Sequence, residues 1–100
     1  MQRFCNRYCM VRTREAGVFA GTLDAFDIAT GTAVVKNARR IFWWEGAASL
    51  SQLATTGTSL PTLCKFPAPV EEVLLLNVIE ILQITDAAAK SIASVKEWSV

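Results

Sequence analysis

The residues best suited to chemistry lie in residues 36–54, which read KNARRIFWWEGAASLSQLA. Arginine binds phosphate through paired hydrogen bonds, aromatic rings stack on bases, and the amides at a helix amino terminus favour anions. These residue types together predict a nucleotide site, with phosphates near the arginines, a base on a tryptophan and further donors where the helix begins. The predicted ligand-binding residues are Arg39, Arg40, Trp43, Trp44, Ser49 and Ser51, with Lys36 and Arg12 as secondary candidates on neighbouring strands.

Strand geometry limits how these residues can cooperate. In an extended strand, side chains alternate between the two faces, so residues 39, 41 and 43 share one face and residues 40, 42 and 44 the other. Arg39 and Arg40 therefore face one pocket only if a bulge or a second subunit intervenes. Arg40 with Trp44 is the favoured pair, because Trp44 is nearest the helix start. Two other interpretations stay open: aromatic residues of a strand usually belong to the core, and arginines are often solvated charges at a strand edge.

Catalysis is not expected from this sequence. The chain contains no histidine, which removes the commonest general base and metal ligand. It has no phosphate-loop pattern, no nucleophile elbow and no cysteine–histidine pair, and its nine carboxylates show no spacing typical of a paired acid and base. We predict that the protein is not an enzyme and uses no metal and no cofactor.

Composition limits the partners. The 100 residues are 52% hydrophobic and 19% charged, which indicates one globular domain over residues 1–100. So much apolar content in so short a chain predicts a homo-oligomer, since part of it needs an interface. A net charge of +1 argues against duplex DNA as the main partner, although the first 40 residues hold seven basic and three acidic side chains. The longest apolar run, VEEVLLLNVIEILQIT, is too short to span a bilayer, so no membrane partner is expected.

The three cysteines, Cys5, Cys9 and Cys64, are expected to be free thiols. Their odd number and the absence of a recognisable signal peptide favour a reducing cytosol. Three thiols without histidine make a poor zinc site, so we expect small buried hydrophobic residues instead.

The pattern along the chain predicts an α+β fold. We expect a curved, mainly antiparallel sheet of about five strands, small and barrel-like, with two short helices. Gly21 and Asn37 are candidates for a bulge or a close backbone approach, and a helix over residues 50–56 is expected from the capping-box spacing of Ser49 and Gln52. A second short helix is expected to begin after Thr85. The predicted strands are residues 7–13, 17–26, 33–36, 39–44 and 70–84, and the predicted core is Val11, Phe19, Leu23, Val34, Leu53, Leu75, Ile79, Ile81 and Ile92.

The central segment resembles that of small uncharacterised proteins encoded by tailed phages and their prophages, which form a family known only as a domain of unknown function. Three further stretches carry the likeness over most of the chain: YCMVRTREAGVFAGTL, CKFPAPVEEVLL and SIASVKEW. Members of that family carry WYW where this chain has FWW at residues 42–44, so the aromatic character is kept and the order differs.

The resemblance implies an origin and no activity. It suggests a phage accessory protein acting in the host cell cytoplasm, where small phage proteins often counter bacterial defence. The first expectation is a sponge that sequesters a nucleotide-derived immune signal, such as a cyclic oligonucleotide or an ADP-ribose derivative, without cleaving it. The alternative is a protein that inhibits a host defence protein by direct binding, and a structural or regulatory phage component is a third.

Overall fold

The computed structural model of the protein describes residues 2–100. In this part of the chain, five strands and two helices carry the fold, and short 3-10 turns lie at Gln2–Phe4 and Pro61–Leu63. The strands are β1 (Tyr8–Thr13), β2 (Val18–Asp27), β3 (Thr32–Arg40), β4 (Val70–Leu75) and β5 (Val78–Gln83), and the helices are α1 (Leu50–Thr56) and α2 (Asp86–Ser94).

The five strands form one antiparallel sheet in the order β4-β3-β2-β1-β5. Only Leu76 and Asn77 separate β4 from β5, yet these two strands lie at opposite edges. Since so short a link cannot cross a flat five-stranded sheet, the sheet must curl until its edges approach at that end. Among the described residues the two edges are not paired with each other, so the sheet is open. The predicted α+β fold with a curved antiparallel sheet is confirmed.

The predicted number of strands is right because two errors cancel. Residues 33–36 and 39–44 were expected to be separate strands, but β3 runs without a break from Thr32 to Arg40 and ends there. Residues 70–84 were expected to form one strand, but a turn at Asn77, with φ of 56°, divides them into β4 and β5. The sequence hid this turn because β-branched residues continue on both sides of it and neither glycine nor proline marks it.

The predicted bulge lies where β3 passes Gly21. Ala20 pairs with Arg39 and Thr22 with Lys36, so Gly21 alone lies opposite residues 37–38 of β3. Asn37 has φ of 50°, a left-handed conformation that asparagine tolerates better than most residues. A Cβ atom on Gly21 would lie 2.8 Å from the carbonyl oxygen of Lys36, so only glycine fits this approach.

The first helix, α1, begins and ends where it was predicted, and α2 begins after Thr85 as predicted. The Ser49 hydroxyl accepts a hydrogen bond from the Gln52 N–H at 3.1 Å, and the Thr85 hydroxyl likewise caps α2. Gly57 follows α1 with φ of 80° and lies against α2, since a Cβ atom there would be 2.3 Å from the Cβ of Ser91. Local capping chemistry therefore determines the helix bounds, and glycine permits the two helices to touch.

Two apolar clusters lie on the two faces of the sheet. The first contains Met10, Ala20 and Ile41 of the sheet region together with buried residues of α1 and α2. The second contains Val11, Phe19, Leu23, Val35 and Leu75 on the other face. Six predicted core residues are buried: Val11, Phe19, Leu23, Leu53, Leu75 and Ile92. Val34 and Ile81 are only half-buried, and the prediction for Ile79 was wrong, because it lies exposed on the outermost strand.

Candidate functional site

Arg39 is buried and bonded to the main chain. Its side chain is 6% exposed, and its guanidinium donates four hydrogen bonds to carbonyl oxygens. Nη1 binds Ile92 at 2.8 Å, Nη2 binds Val95 at 2.6 Å and Phe66 at 3.1 Å, and Nε binds Pro67 at 3.0 Å. A guanidinium has five N–H groups, so four of them are occupied by protein oxygens. Arg39 therefore joins segments of the main chain and has only one N–H group left for a ligand.

Burial also affects the ionisation of Arg39. Desolvation lowers the pKa of Arg39 below its usual value, while neighbouring Tyr8 and Glu97 act in the opposite direction. Burial raises the pKa of Tyr8, and the charge of Arg39 partly offsets that increase. Because the ordinary pKa of arginine is so high, the guanidinium keeps its charge at neutral pH and remains a donor to the four carbonyls.

Arg40 occupies the opposite side of β3. It is exposed, its guanidinium carbon lies 4.3 Å from the ring centroid of Phe19, and Nη1 donates to the carbonyl of Ala16. Trp44, its predicted partner, packs beside the first cluster, whereas Phe19 belongs to the second. Arg40 and Trp44, the favoured pair, therefore pack against different apolar clusters.

The two secondary basic candidates lie in ion pairs on the sheet. Arg12 Nε is 2.9 Å from a carboxylate oxygen of Glu80, and Lys36 Nζ is 3.8 Å from one of Asp24. Both pairs are exposed, so they contribute little to stability. They nevertheless place a negative group beside each cation, which weakens the attraction of either for a phosphate.

The predicted donors at the start of α1 are exposed, but α1 has only seven residues. The Ser49 hydroxyl is occupied by the cap, and the Ser51 carbonyl accepts a hydrogen bond from Thr55 Oγ1 at 2.8 Å. Neither serine contacts a predicted basic residue in the hydrogen bonds of the structure. The eight predicted residues are therefore not assembled into one pocket within a single chain.

Aromatic residues form a different exposed surface. The rings of Phe42 and Trp98 stack with centroids 5.3 Å apart and planes 4° from parallel, and the two residues are 57% and 38% exposed. Lys65 Nζ lies 5.7 Å from the centroid of the Trp98 ring. Trp43, 53% exposed, pairs across an antiparallel bridge with Lys65, so both side chains project to the same side. We call Phe42, Trp43, Lys65 and Trp98 the aromatic surface.

The main chain holds Trp98 in position. Its N–H donates to the carbonyl of Phe66 at 3.0 Å, and Glu97 pairs with Phe66 in a parallel bridge. Arg39 bonds to the same Phe66 carbonyl and to Val95, so one buried side chain joins the two segments that meet at Trp98. The stacked pair is thus ordered by the fold, and ordering before binding reduces the entropy lost on contact with a partner.

A cavity of about 320 Å³ adjoins Trp98. Its lining combines apolar, hydroxyl and charged groups, from Pro61, Thr62, Cys64, Ser94, Lys96, Glu97 and Trp98. The Cys64 thiol in this wall is a weak donor to the carbonyl of Glu45, with the sulfur 3.5 Å from the oxygen. The volume lies near the lower end of small-ligand pockets.

The prediction from sequence included Trp43 of the aromatic surface and missed Phe42, Lys65 and Trp98. Phe42 was expected on a strand face with Arg40, and Trp98 was not among the predicted ligand-binding residues. The available signal was the number of successive aromatic residues, since one strand face can bury only every second side chain. Phe42 and Trp98 are far apart in the sequence, so no local sequence pattern indicates that their rings stack.

The fold and this surface define a small α+β domain that presents exposed aromatic rings. The model of the family described as "Domain of unknown function (DUF6948)" matches residues 6–92, and the chain belongs to that family. The expected membership of an uncharacterised family is therefore confirmed. Comparison with curated proteins gave no match. In residues 2–100, neither helix has the length and apolar character needed to cross a bilayer.

Proposed function

We propose that the protein is a non-catalytic inhibitor, encoded by a phage, that binds a host defence protein through the aromatic surface. The observation that carries the proposal is the stacked pair of Phe42 and Trp98, which is ordered and yet exposed to solvent. Tryptophan and other large aromatic residues contribute a large share of the energy at protein interfaces. Exposed apolar groups of this size are costly to a monomer unless a partner covers them.

The charges around the rings suit a protein partner. Lys65 lies against Trp98, and Glu97 is next to it in sequence, while Glu45 accepts a hydrogen bond from Trp43 Nε1 at 3.1 Å. A surface with apolar rings at its centre and charges of both signs around them has the composition of a protein interface. A site for a multiply charged nucleotide would instead need several unpaired cations.

The phage origin and the action in a host cytoplasm rest on the family resemblance of residues 36–54.

We also propose that the protein self-associates, because Leu74, Leu76 and Ile79 are exposed at the edges of the sheet. Neither proposal depends on an enzymatic activity.

A second candidate function is the sequestration of a nucleotide-derived immune signal without cleavage. The cavity beside Trp98 favours it, since Lys96 supplies a cation and Thr62 and Ser94 supply hydroxyl groups next to an aromatic ring. In this second candidate function, the nucleotide site is the cavity beside Trp98 and not the predicted arginines.

Affinity capture of the purified protein from infected host cells, followed by reconstitution with the identified partner, tests the first proposal. We expect F42A and W98A each to weaken binding by roughly 30-fold or more, as for interface hot spots. I28A is the matched control, because Ile28 is 70% exposed but lies on the β2–β3 turn. Binding that F42A and W98A leave unchanged would contradict the role of the aromatic surface.

A thermal-shift screen with cyclic oligonucleotides and ADP-ribose derivatives tests the second candidate. A ligand at 100 times its dissociation constant should stabilise the fold by about 2.7 kcal/mol, and K96A should reduce that shift. Ligand recovered with unchanged mass supports sequestration. A changed mass would make the protein an enzyme.

A further inference from the structure

The β4 strand is an edge with an unoccupied side. It pairs with β3 from Val70 to Leu75, and in residues 2–100 no strand pairs with its other side. The outward N–H and C=O groups of an edge strand can bind another strand, so natural proteins usually protect such edges with charges, proline or a bulge. On the β3 side β4 keeps regular register through residues 70–75, so no bulge protects it.

β4 carries two exposed glutamates at residues 71–72, yet the other side chains on its solvent-facing side are aliphatic. Leu74 is 62% exposed, and Leu76, directly after the strand, is 57% exposed. By strand alternation Val70, 49% exposed, lies on the same side, while Val73 and Leu75 pack on the second cluster. Three aliphatic side chains, interrupted by one carboxylate, stand beside the open backbone, which indicates a surface that another strand covers.

The sequence of β4 favours one register over others for pairing with its own copy. If two β4 strands pair antiparallel about a two-fold axis normal to the sheet, outward residues face outward residues of the partner. With Val73 on the axis, Val70 lies opposite the partner's Leu76, and Leu74 lies opposite the partner's Glu72. An axis at Glu72 would place like charges directly opposite, which is destabilising, and an axis at Leu74 would leave Val70 without an apolar partner.

We propose that a second copy of this chain docks on β4, with Val73 at the two-fold axis, so that two five-stranded sheets become one. The pairing covers the aliphatic side chains of both copies and satisfies the open β4 edge of each, while β5 remains an outer edge of the combined sheet. The proposal specifies the surface of the self-association proposed above and is independent of the aromatic surface. An interface of one strand pair belongs to the smaller size class, so we expect dissociation in the micromolar range.

Two substitutions at one position test the edge and the register together. L74E places a carboxylate opposite the partner's Glu72 and should weaken the dimer by about tenfold or more, whereas L74K places an ammonium there and should leave the dimer intact. I79E is the matched control, because Ile79 is 48% exposed on the opposite edge strand. In a concentration series, light scattering should give twice 10.9 kDa for the wild type, L74K and I79E at concentrations where L74E still gives about 10.9 kDa.

Each contrary result identifies what fails. A wild type that stays at 10.9 kDa throughout the series overturns self-association altogether. A dimer that L74E leaves intact, or that I79E dissociates, overturns the choice of β4. Equal dissociation by L74K and L74E overturns the register. Circular dichroism confirms that each variant is folded, and a W98A protein that loses its target while remaining dimeric separates this proposal from the function of the aromatic surface.

Discussion

The two sides of the sheet at the end of β3 place neighbouring arginines in opposite environments. On the helix-covered side, Arg39 is 6% exposed and donates to four carbonyl oxygens. On the other side, Arg40 is exposed, lies over the ring of Phe19 and donates to one carbonyl. A buried charge is tolerated on the first side because main-chain oxygens replace the lost water around it.

The difference shows that the identity of a side chain does not determine its use. Both arginines have the chemistry of a phosphate ligand, and Arg39 uses it to fix the segment that carries Trp98. The position of Trp98 in the aromatic surface therefore depends on a buried side chain. Three predictions test how strongly the two sides differ.

Replacing the buried arginine should have the largest effect. We expect R39M to lower the free energy of unfolding by about 3 kcal/mol or more, because it leaves several carbonyls without their donor. R40M is the matched variant and should cost less than about 1 kcal/mol, since one exposed hydrogen bond and one ring contact are lost. Urea denaturation measures both values. Equal losses would contradict the assignment of a structural role to Arg39 alone.

High pH should destabilise the protein through Cys9, which lies in the second cluster with a weak sulfur contact to the carbonyl of Phe4. Burial raises the pKa of Cys9 from 9.0 to about 11. The unfolded thiol therefore loses its proton first, so this stability is complete below pH 9 and is lost as the pH rises through about 11. We expect a loss of about 2 kcal/mol across this interval.

C9A is the control for that measurement. Tyr8 also has a pKa raised by burial and acts in the same direction, so only the difference between wild type and C9A reports the thiol. Denaturation at a series of pH values should give a smaller slope for C9A between pH 9 and 11. Parallel slopes would mean that Cys9 titrates normally in the folded state.

The smallest effect is expected at the bulge at Asn37, which precedes both arginines and sets which face of the sheet each of them meets. Asn37 has φ of 50°, so N37A should cost about 1 kcal/mol, whereas N37G should be close to neutral because glycine adopts this conformation freely. Thermal unfolding of both variants gives the comparison. If N37G were as destabilising as N37A, the asparagine side chain and not its backbone conformation would be the stabilising feature.

Local signals in the sequence predicted local structure well. The caps at Ser49 and Thr85 depend on residues within a few positions of one another, and Gly21 and Asn37 were candidates for a bulge because of their own backbone preferences. The turn at Asn77 was missed because its neighbours favour extended structure on both sides. The candidate surface was predicted only in part, since Trp43 was identified and its companions were not.

The sequence by itself determined the α+β class, the bounds of α1, the start of α2 and the presence of arginine and aromatic residues around position 40. The tertiary structure decided which of them are exposed. The bulge at Asn37 shifts the alternation of β3 by one residue, so Val35 and Arg40 face the second cluster while Arg39 and Ile41 face the first. Trp98 contacts Phe42 only because residues 92–98 return to the end of the sheet, where Arg39 donates hydrogen bonds to the carbonyl oxygens of Ile92 and Val95. Side-chain direction along a strand depends on every residue before it, and contacts distant in sequence depend on the whole fold, so neither can be derived from a short motif.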